Sequence, residues 1–206
     1  MAVFLKPLQK LSEELKMIKK LGLIITLALF VAPAALATTY MDAIWANKVC
    51  AAWNASPILT QQLMETEAGI EIDNDNDNDN GNGYSWVRNN ANRGYKIVQM
   101  YRTACGAKTK IQLVIQEKNG KAMCTSSGKP DGKVMDFNVD YLMHATDTNW
   151  ECMGRGSFGC GTIGAMMSGK LKLQGPKFEV INVMSPFESF LKVAGRTAGD
   201  KNTCPK

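Results

Sequence analysis

One histidine, His144, is present among 206 residues, which excludes zinc sites and catalytic schemes that require two imidazoles. No C-x-x-C pair occurs, so a thioredoxin-like redox centre and c-type haem attachment are also excluded. A G-x-S-x-G nucleophile elbow and a P-loop are missing as well. The Gly-rich cluster GRGSFGCG, from Gly154 to Gly161, is flanked by cysteines and reads as a disulfide-closed loop rather than a phosphate cradle. Charge of one sign is lacking too. Five of the 24 basic and two of the 19 acidic residues lie before Thr38, leaving 19 against 17 and a net charge of +2. Without a concentrated basic patch there is no electrostatic case for nucleic acid.

What is present begins with a leader-like N-terminus. Lys19 and Lys20 precede an apolar run from Leu21 to Ala32, and Ala35-Leu36-Ala37 puts small residues where a signal peptidase reads. The run is short of the ~20 apolar residues of a spanning helix and meets Pro33, so an export signal over 1–37 is expected rather than an uncleaved anchor. Met17 is an alternative start, because Met1 to Lys16 is long for a leader and carries Glu13 and Glu14. Residues 38–206 are expected to form one domain in a secreted or periplasmic protein.

Six cysteines, Cys50, Cys105, Cys124, Cys152, Cys160 and Cys204, all follow that leader. An even count after an export signal predicts disulfides. Fifteen pairings are possible. The hairpin between the Cys105 and Cys124 strands brings those two within reach, the Gly-rich loop closes Cys152 on Cys160, and Cys50 is left for Cys204. At odds with an ordinary domain is DNDNDNDNGNG, from Asp73 to Gly83, too polar to bury and too repetitive for a defined element. Its register does not match an EF-type calcium loop, since counting back from Gly81 or Gly83 puts Val87 or Asn89 where a bidentate Glu is needed. It is read as a solvated spacer, with weak hydrated cation binding by Asp73, Asp75, Asp77 and Asp79 as the alternative.

Helical stripes are predicted from Tyr40 to Trp53, through Ile44, Trp45, Val49 and Trp53, and from Ser56-Pro57 onward through Leu59, Leu63 and Met64. Strands are predicted at Tyr95 to Ala104 and Lys110 to Glu117, with Asn119-Gly120 as a hairpin turn and a return over Lys121 to Thr125. Met135, Phe137 and Val139 alternate as a further strand, with Asp140 placed to cap a helix carrying Leu142, Met143 and His144. GAMMSGK, from Gly164 to Lys170, is helix-like and leads into a strand with Leu171 and Leu173 on one face; FEVINVM then reads as the second strand of a hairpin. Ser185-Pro186 predicts a helix start, and Phe187, Phe190, Leu191 and Ala194 recur at helical spacing before Gly195.

This order of elements, with the wording AMMSGKLKLQG, resembles the C-terminal half of sterol-carrier-protein-type lipid-transfer domains, over Ala43 to Gly195. The resemblance implies an α+β fold: an antiparallel-rich sheet of about five strands covered by helices, enclosing an apolar tunnel for one lipid. It also implies that Leu142, Met143, Met166, Met167, Leu171, Leu173, Met184, Phe187, Phe190 and Leu191 line or border that tunnel. Unbranched methionines adapt to ligands of varied shape, although they fill ordinary cores equally well. The expected partner is therefore a hydrophobic small molecule, a fatty acid, phospholipid or sterol-like lipid, with transient membrane contact and no cofactor, metal or catalytic residue. A lone His144 is expected to be a surface or packing residue. The competing expectation is a structural or interaction protein that keeps the fold and has lost the cavity.

Overall fold

The computed structural model describes residues 38–64 and 85–206. The expected leader and the Asp/Asn-rich insertion lie outside the described residues. Five strands, β1 (Lys96–Arg102), β2 (Ile111–Lys118), β3 (Lys121–Gly128), β4 (Tyr141–Ala145) and β5 (Lys172–Gln174), form one sheet in the order β3-β2-β1-β4-β5. All neighbours are antiparallel except β1 and β4, which run parallel. The fold is α+β, as expected. Asn119 and Gly120 both have positive φ, 52° and 68°, the backbone that a two-residue turn needs to match strand twist.

Among the described residues six α-helices follow from local signals: α1 (Ala43–Asn54), α2 (Pro57–Thr60), α3 (Asp147–Arg155), α4 (Thr162–Met167), α5 (Lys177–Asn182) and α6 (Met184–Arg196). Asp42 caps α1 by accepting the Trp45 N–H at 2.7 Å, and Ser56 caps α2 ahead of Pro57. α1 buries Trp45, Val49 and Trp53 against the inner sheet face, where Val98, Met100, Ile111, Leu113, Ile115, Tyr141 and Met143 alternate inward. Ile44, expected in that stripe, is exposed. α6 buries Phe187, Phe190, Leu191 and Ala194, each large side chain contributing about 1.5–3 kcal/mol of apolar transfer. Its crossing with α3 is close because both helices present glycine: a Cβ on Gly154 would stand 2.5 Å from the Gly195 carbonyl carbon.

Three expected elements differ. Residues 135–140 form a turn rather than a strand, and 141–145 form a strand rather than a helix, so Leu142, Met143 and His144 lie on β4. The reason is Asp140. Its fully buried carboxylate caps no helix; it accepts the Ile97 N–H at 2.7 Å and the Asp136 N–H at 2.8 Å, and binds the Arg93 guanidinium at 2.8 and 3.0 Å. This pins the 129–140 connection, which lies on the outer sheet face where Gln112 donates to Asp131 at 2.8 Å, and leaves Tyr141 to begin β4 beside β1. FEVINVM is helical, not the second strand of a hairpin. Its consecutive residues Glu179 and Val180 are both buried while Phe178 is 86% exposed, a pattern that a strand face cannot produce. At α6 the helix begins at Met184, so Ser185 and Pro186 sit inside its first turn and Ser185 is not the cap.

The disulfides are Cys50–Cys124, Cys105–Cys204 and Cys152–Cys160. Only the last matches the expected pairing. Cys105 lies beyond the end of β1 in a 3-10 turn, away from the β2–β3 hairpin, and so meets the tail; Cys124 points to the helical face and meets α1. Arg102 reinforces the tail clip, donating to the Thr203 carbonyl at 2.6 Å and to the Lys201 carbonyl at 2.5 Å while paired with Asp147.

Asp140→Ala strips the Arg93 cation and two backbone donors of their acceptor, and urea denaturation is expected to find a loss of about 3–5 kcal/mol. Replacing Cys105 and Cys204 together by serine opens a loop of 99 residues, and the same measurement is expected to show a loss of up to about 4 kcal/mol.

Candidate ligand-binding site

Between the helices and the inner sheet face, the enclosed space shrinks to a void of about 20 Å³, lined by Trp53, Leu59, Leu63, Trp86, Val98, Tyr141, Met143, Val183, Pro186, Phe187 and Phe190. That volume holds about one water and no lipid. The interior where a tunnel was expected is thus closed in this conformation. The rings of Trp53, Phe190 and Phe187 meet edge-on or tilted, 5.5 to 6.4 Å apart, and fill it.

Space opens instead along β5. A groove of about 700 Å³ is lined by Leu142, His144, Met166, Met167, Gly169, Leu171, Lys172, Leu173, Gln174, Lys177 and Ile181. A second, of about 610 Å³, is bordered by Ile58, Ile181, Met184, Ser185, Glu188 and Lys192. Ile181 of α5 belongs to both, so this short helix is the ridge between them. Met167, on the wall of the first groove, is 85% exposed, and Phe178, next in the chain to Lys177 of that wall, is 86% exposed, an arrangement of apolar side chains in water that a closed domain does not require.

The ten residues expected to line a tunnel therefore divide among four places. Leu142, Met166, Met167, Leu171 and Leu173 border the β5 groove. Met143, Phe187 and Phe190 line the small void, Met184 borders the second groove, and Leu191 is buried in the core.

Behind the void stands a polar cluster that sequence reasoning passed over. Lys96, fully buried at the start of β1, donates to both Glu179 oxygens at 2.7 and 2.8 Å. Glu179 also accepts from Asn89 Nδ2 at 2.8 Å and from the Tyr141 hydroxyl, which in turn accepts from Trp86 Nε1 at 3.1 Å. The Lys96 ammonium lies 4.4 Å from the Trp86 ring centroid and 5.4 Å from that of Tyr141. Burial pushes the Lys96 amine down to about 8, against the opposing attraction of Glu179 and Asp140 and with some help from Arg93. The alternation Lys96, Val98, Met100 carried the signal, since it places a lysine on the apolar face of a strand.

His144 lies on the outer face of β4, its ring stacked on Tyr101 at 4.6 Å and its Nδ1 sharing a 2.9 Å hydrogen bond with the Thr103 hydroxyl. Partial burial, helped by Lys172, holds its imidazole below the usual value. All six cysteines are in disulfides, and among the described residues no group of three or more His, Cys, Asp or Glu side chains is placed to hold a metal ion. The Gly154–Gly159 stretch spells G-x-G-x-x-G, but it follows a helix rather than a strand, with Gly156 ending α3 in the left-handed conformation. A dinucleotide-binding turn needs a preceding strand, so this loop is no such turn.

No family model and no curated protein matches the chain. Two solved structures are similar to it. A crystal structure of sterol carrier protein 2 is 16% identical with a TM-score of 0.43, covering 77% of this chain and 98% of its own. The solution structure of a conserved hypothetical protein from Thermus thermophilus, described as a candidate sterol carrier protein, is 15% identical with a TM-score of 0.44, covering 80% of this chain and 95% of its own.

With its amine depressed, Lys96 binds fewer protons in the folded than in the unfolded state between about pH 8 and 10.5, so it adds stability as pH rises through that window. NMR titration of ¹³Cε-labelled lysines is expected to find one amine with a midpoint near 8, absent from Lys96→Met. Lysines that all titrate at the ordinary value would contradict the assignment.

Proposed function

We propose that this chain binds a hydrophobic ligand, such as a fatty acid, phospholipid or sterol-like lipid, outside the cytoplasm, and carries it without chemical change. The observation that carries this reading is the groove of about 700 Å³ along β5, walled by Leu142, Met166, Met167, Leu171, Leu173 and Ile181. Its size lies within the roughly 300–1,000 Å³ of ligand pockets. An acyl chain of a dozen methylenes transferred onto such a wall gains about 10 kcal/mol before the losses of association, at about 0.8 kcal/mol per methylene. Apolar transfer suffices for binding. The export-type leader and three disulfides support an oxidising compartment. Exposed Met167 and Phe178, with Lys170, Lys172 and Lys177 on the same stretch of chain, support transient contact with a membrane during loading.

A second reading is an extracellular interaction protein, favoured by the closed interior of about 20 Å³. On that reading the exposed apolar residues around α5 meet a protein. Mass spectrometry of lipids extracted from the protein as purified separates the two. Carriage predicts a reproducible lipid, displacement by a fluorescent fatty acid, and at least about tenfold weaker binding in Met167→Asp with Ile181→Asp, both partly exposed positions that the fold tolerates. A reproducibly empty protein that also ignores fatty acids would leave the interaction reading.

A further inference from the structure

Lys96 and Glu179 are, among the described residues, the one ion pair whose two side chains are both essentially buried, at 0% and 4% exposure. Two apolar residues of the same size would serve the core as well or better, so packing alone does not account for the pair. Its two members are held very differently. Lys96 is anchored in the middle of the sheet, in register with Ile115 of β2. Glu179 arrives on α5, six residues long, with no side-chain cap at its N-terminus and with Phe178 and Ile181 turned outward. The lysine stays wherever the helix goes.

The cluster also adjoins the interior void. Trp86 and Tyr141, the two rings beneath the Lys96 ammonium, line that void from the other side. Val180, fully buried, and Val183, which lines the void, belong to α5 and the residue after it. Lifting α5 from the sheet removes both valines and Glu179 together. What remains is apolar room between the layers, ending at an ammonium group that the Trp86 and Tyr141 rings still flank, with Asp140 and Arg93 engaged with each other nearby. A buried cation left without its carboxylate is unfavourable, so α5 lifts for a molecule that supplies an anion at the same place.

We propose that Lys96 recognises an anionic oxygen head group, a carboxylate or a phosphate, on a ligand with an alkyl chain, and that Glu179 is the resident counter-ion which this head group replaces. The proposal rests on the carrier reading above and narrows it: the ligand is an acidic amphiphile, and its chain occupies the interior once α5 has moved, reached from the β5 groove that α5 borders. Uncharged lipids of the same length bind only in that outer groove. Glu179 thereby acts as an internal stand-in for the ligand head, keeping the empty protein closed.

Binding of dodecanoate, dodecyl phosphate and dodecanol, followed by calorimetry at pH 7, tests this. Wild-type protein is expected to prefer an acidic ligand to the alcohol by a factor of about 30 or more. Replacing the pair together, Lys96→Met with Glu179→Met, removes charge while keeping the core filled, and is expected to abolish the preference. Glu179→Gln is expected to tighten the acids alone. Dodecanoate and dodecyl phosphate run side by side distinguish carboxylate from phosphate as the head. As an independent readout, the ¹³Cε resonance of Lys96 is expected to shift with an acid and not with the alcohol. Equal binding of acid and alcohol by the wild type, or a preference that survives the paired replacement, overturns the proposal while leaving carriage intact. Failure of all three to bind overturns both.

Discussion

The docking of α5 on the sheet depends on one contact between charged groups, the Lys96 ammonium with the Glu179 carboxylate. Each would be costly alone in an apolar interior, and together they come close to balance because Asn89 and Tyr141 also donate to the carboxylate. The pair is therefore weak as a source of stability and strong as a constraint on position. α5 can dock only where Glu179 reaches Lys96, and that docking sets Val180 and Val183 against Tyr141 and Phe187. The void of about 20 Å³ is what remains beside the Trp53, Phe187 and Phe190 rings once Val183 is in place.

The sheet can offer Lys96 to this contact because a second buried carboxylate organises the other face. Asp140 takes the first amide of the β1 strand interior and the Arg93 guanidinium at once, so the connection from β3 is drawn across the outer surface and β4 enters parallel to β1. That placement puts Tyr141 opposite Val98 in register and so beside Lys96. The tail clip at Cys105–Cys204, with Arg102 and Asp147, fixes the far end of the same strand. Strand β1 is thus held at both ends by groups distant in sequence, which makes it a rigid platform. α5, in contrast, is six residues long and has no side-chain cap at its N-terminus.

Where local physics decides, the sequence was readable. The Asn119-Gly120 turn, the Ser56-Pro57 start, the Phe187/Phe190/Leu191/Ala194 stripe and the short Cys152–Cys160 loop all depend on residues within a few positions of one another, and each is found as expected. The misreadings share a different cause. Asp140 looks like a helix cap until Arg93 and Ile97 are brought to it, and FEVINVM alternates like a strand until Glu179 is drawn inward by a lysine 83 residues away. Cys124 and Cys105 look joined by one hairpin, but that hairpin links β2 to β3 and Cys105 lies outside it. Of the expected ligand contacts, the half on β4, α4 and β5 comes together around one groove, because the Met-rich segment and the Leu171/Leu173 strand are neighbours in the chain. Phe187, Phe190 and Leu191 point into a core that those local signals could not show to be filled.

Magnitudes decide which ligand could exploit this arrangement. Moving α5 away exposes Val180 and Val183, at about 1.5–3 kcal/mol each, and strands a buried cation, at about 3–5 kcal/mol. The sum, about 6–11 kcal/mol, matches the roughly 10 kcal/mol that a chain of a dozen methylenes gains on burial, before association entropy is counted. An uncharged chain consequently gains little by entering and remains in the outer groove. A chain that carries its own anion returns to Lys96 what Glu179 withdrew, so the ion-pair part of the cost vanishes and entry becomes favourable. Selectivity for acidic amphiphiles then needs no pocket shaped to the head group; it follows from a fixed lysine, a detachable glutamate and the low dielectric between two aromatic rings.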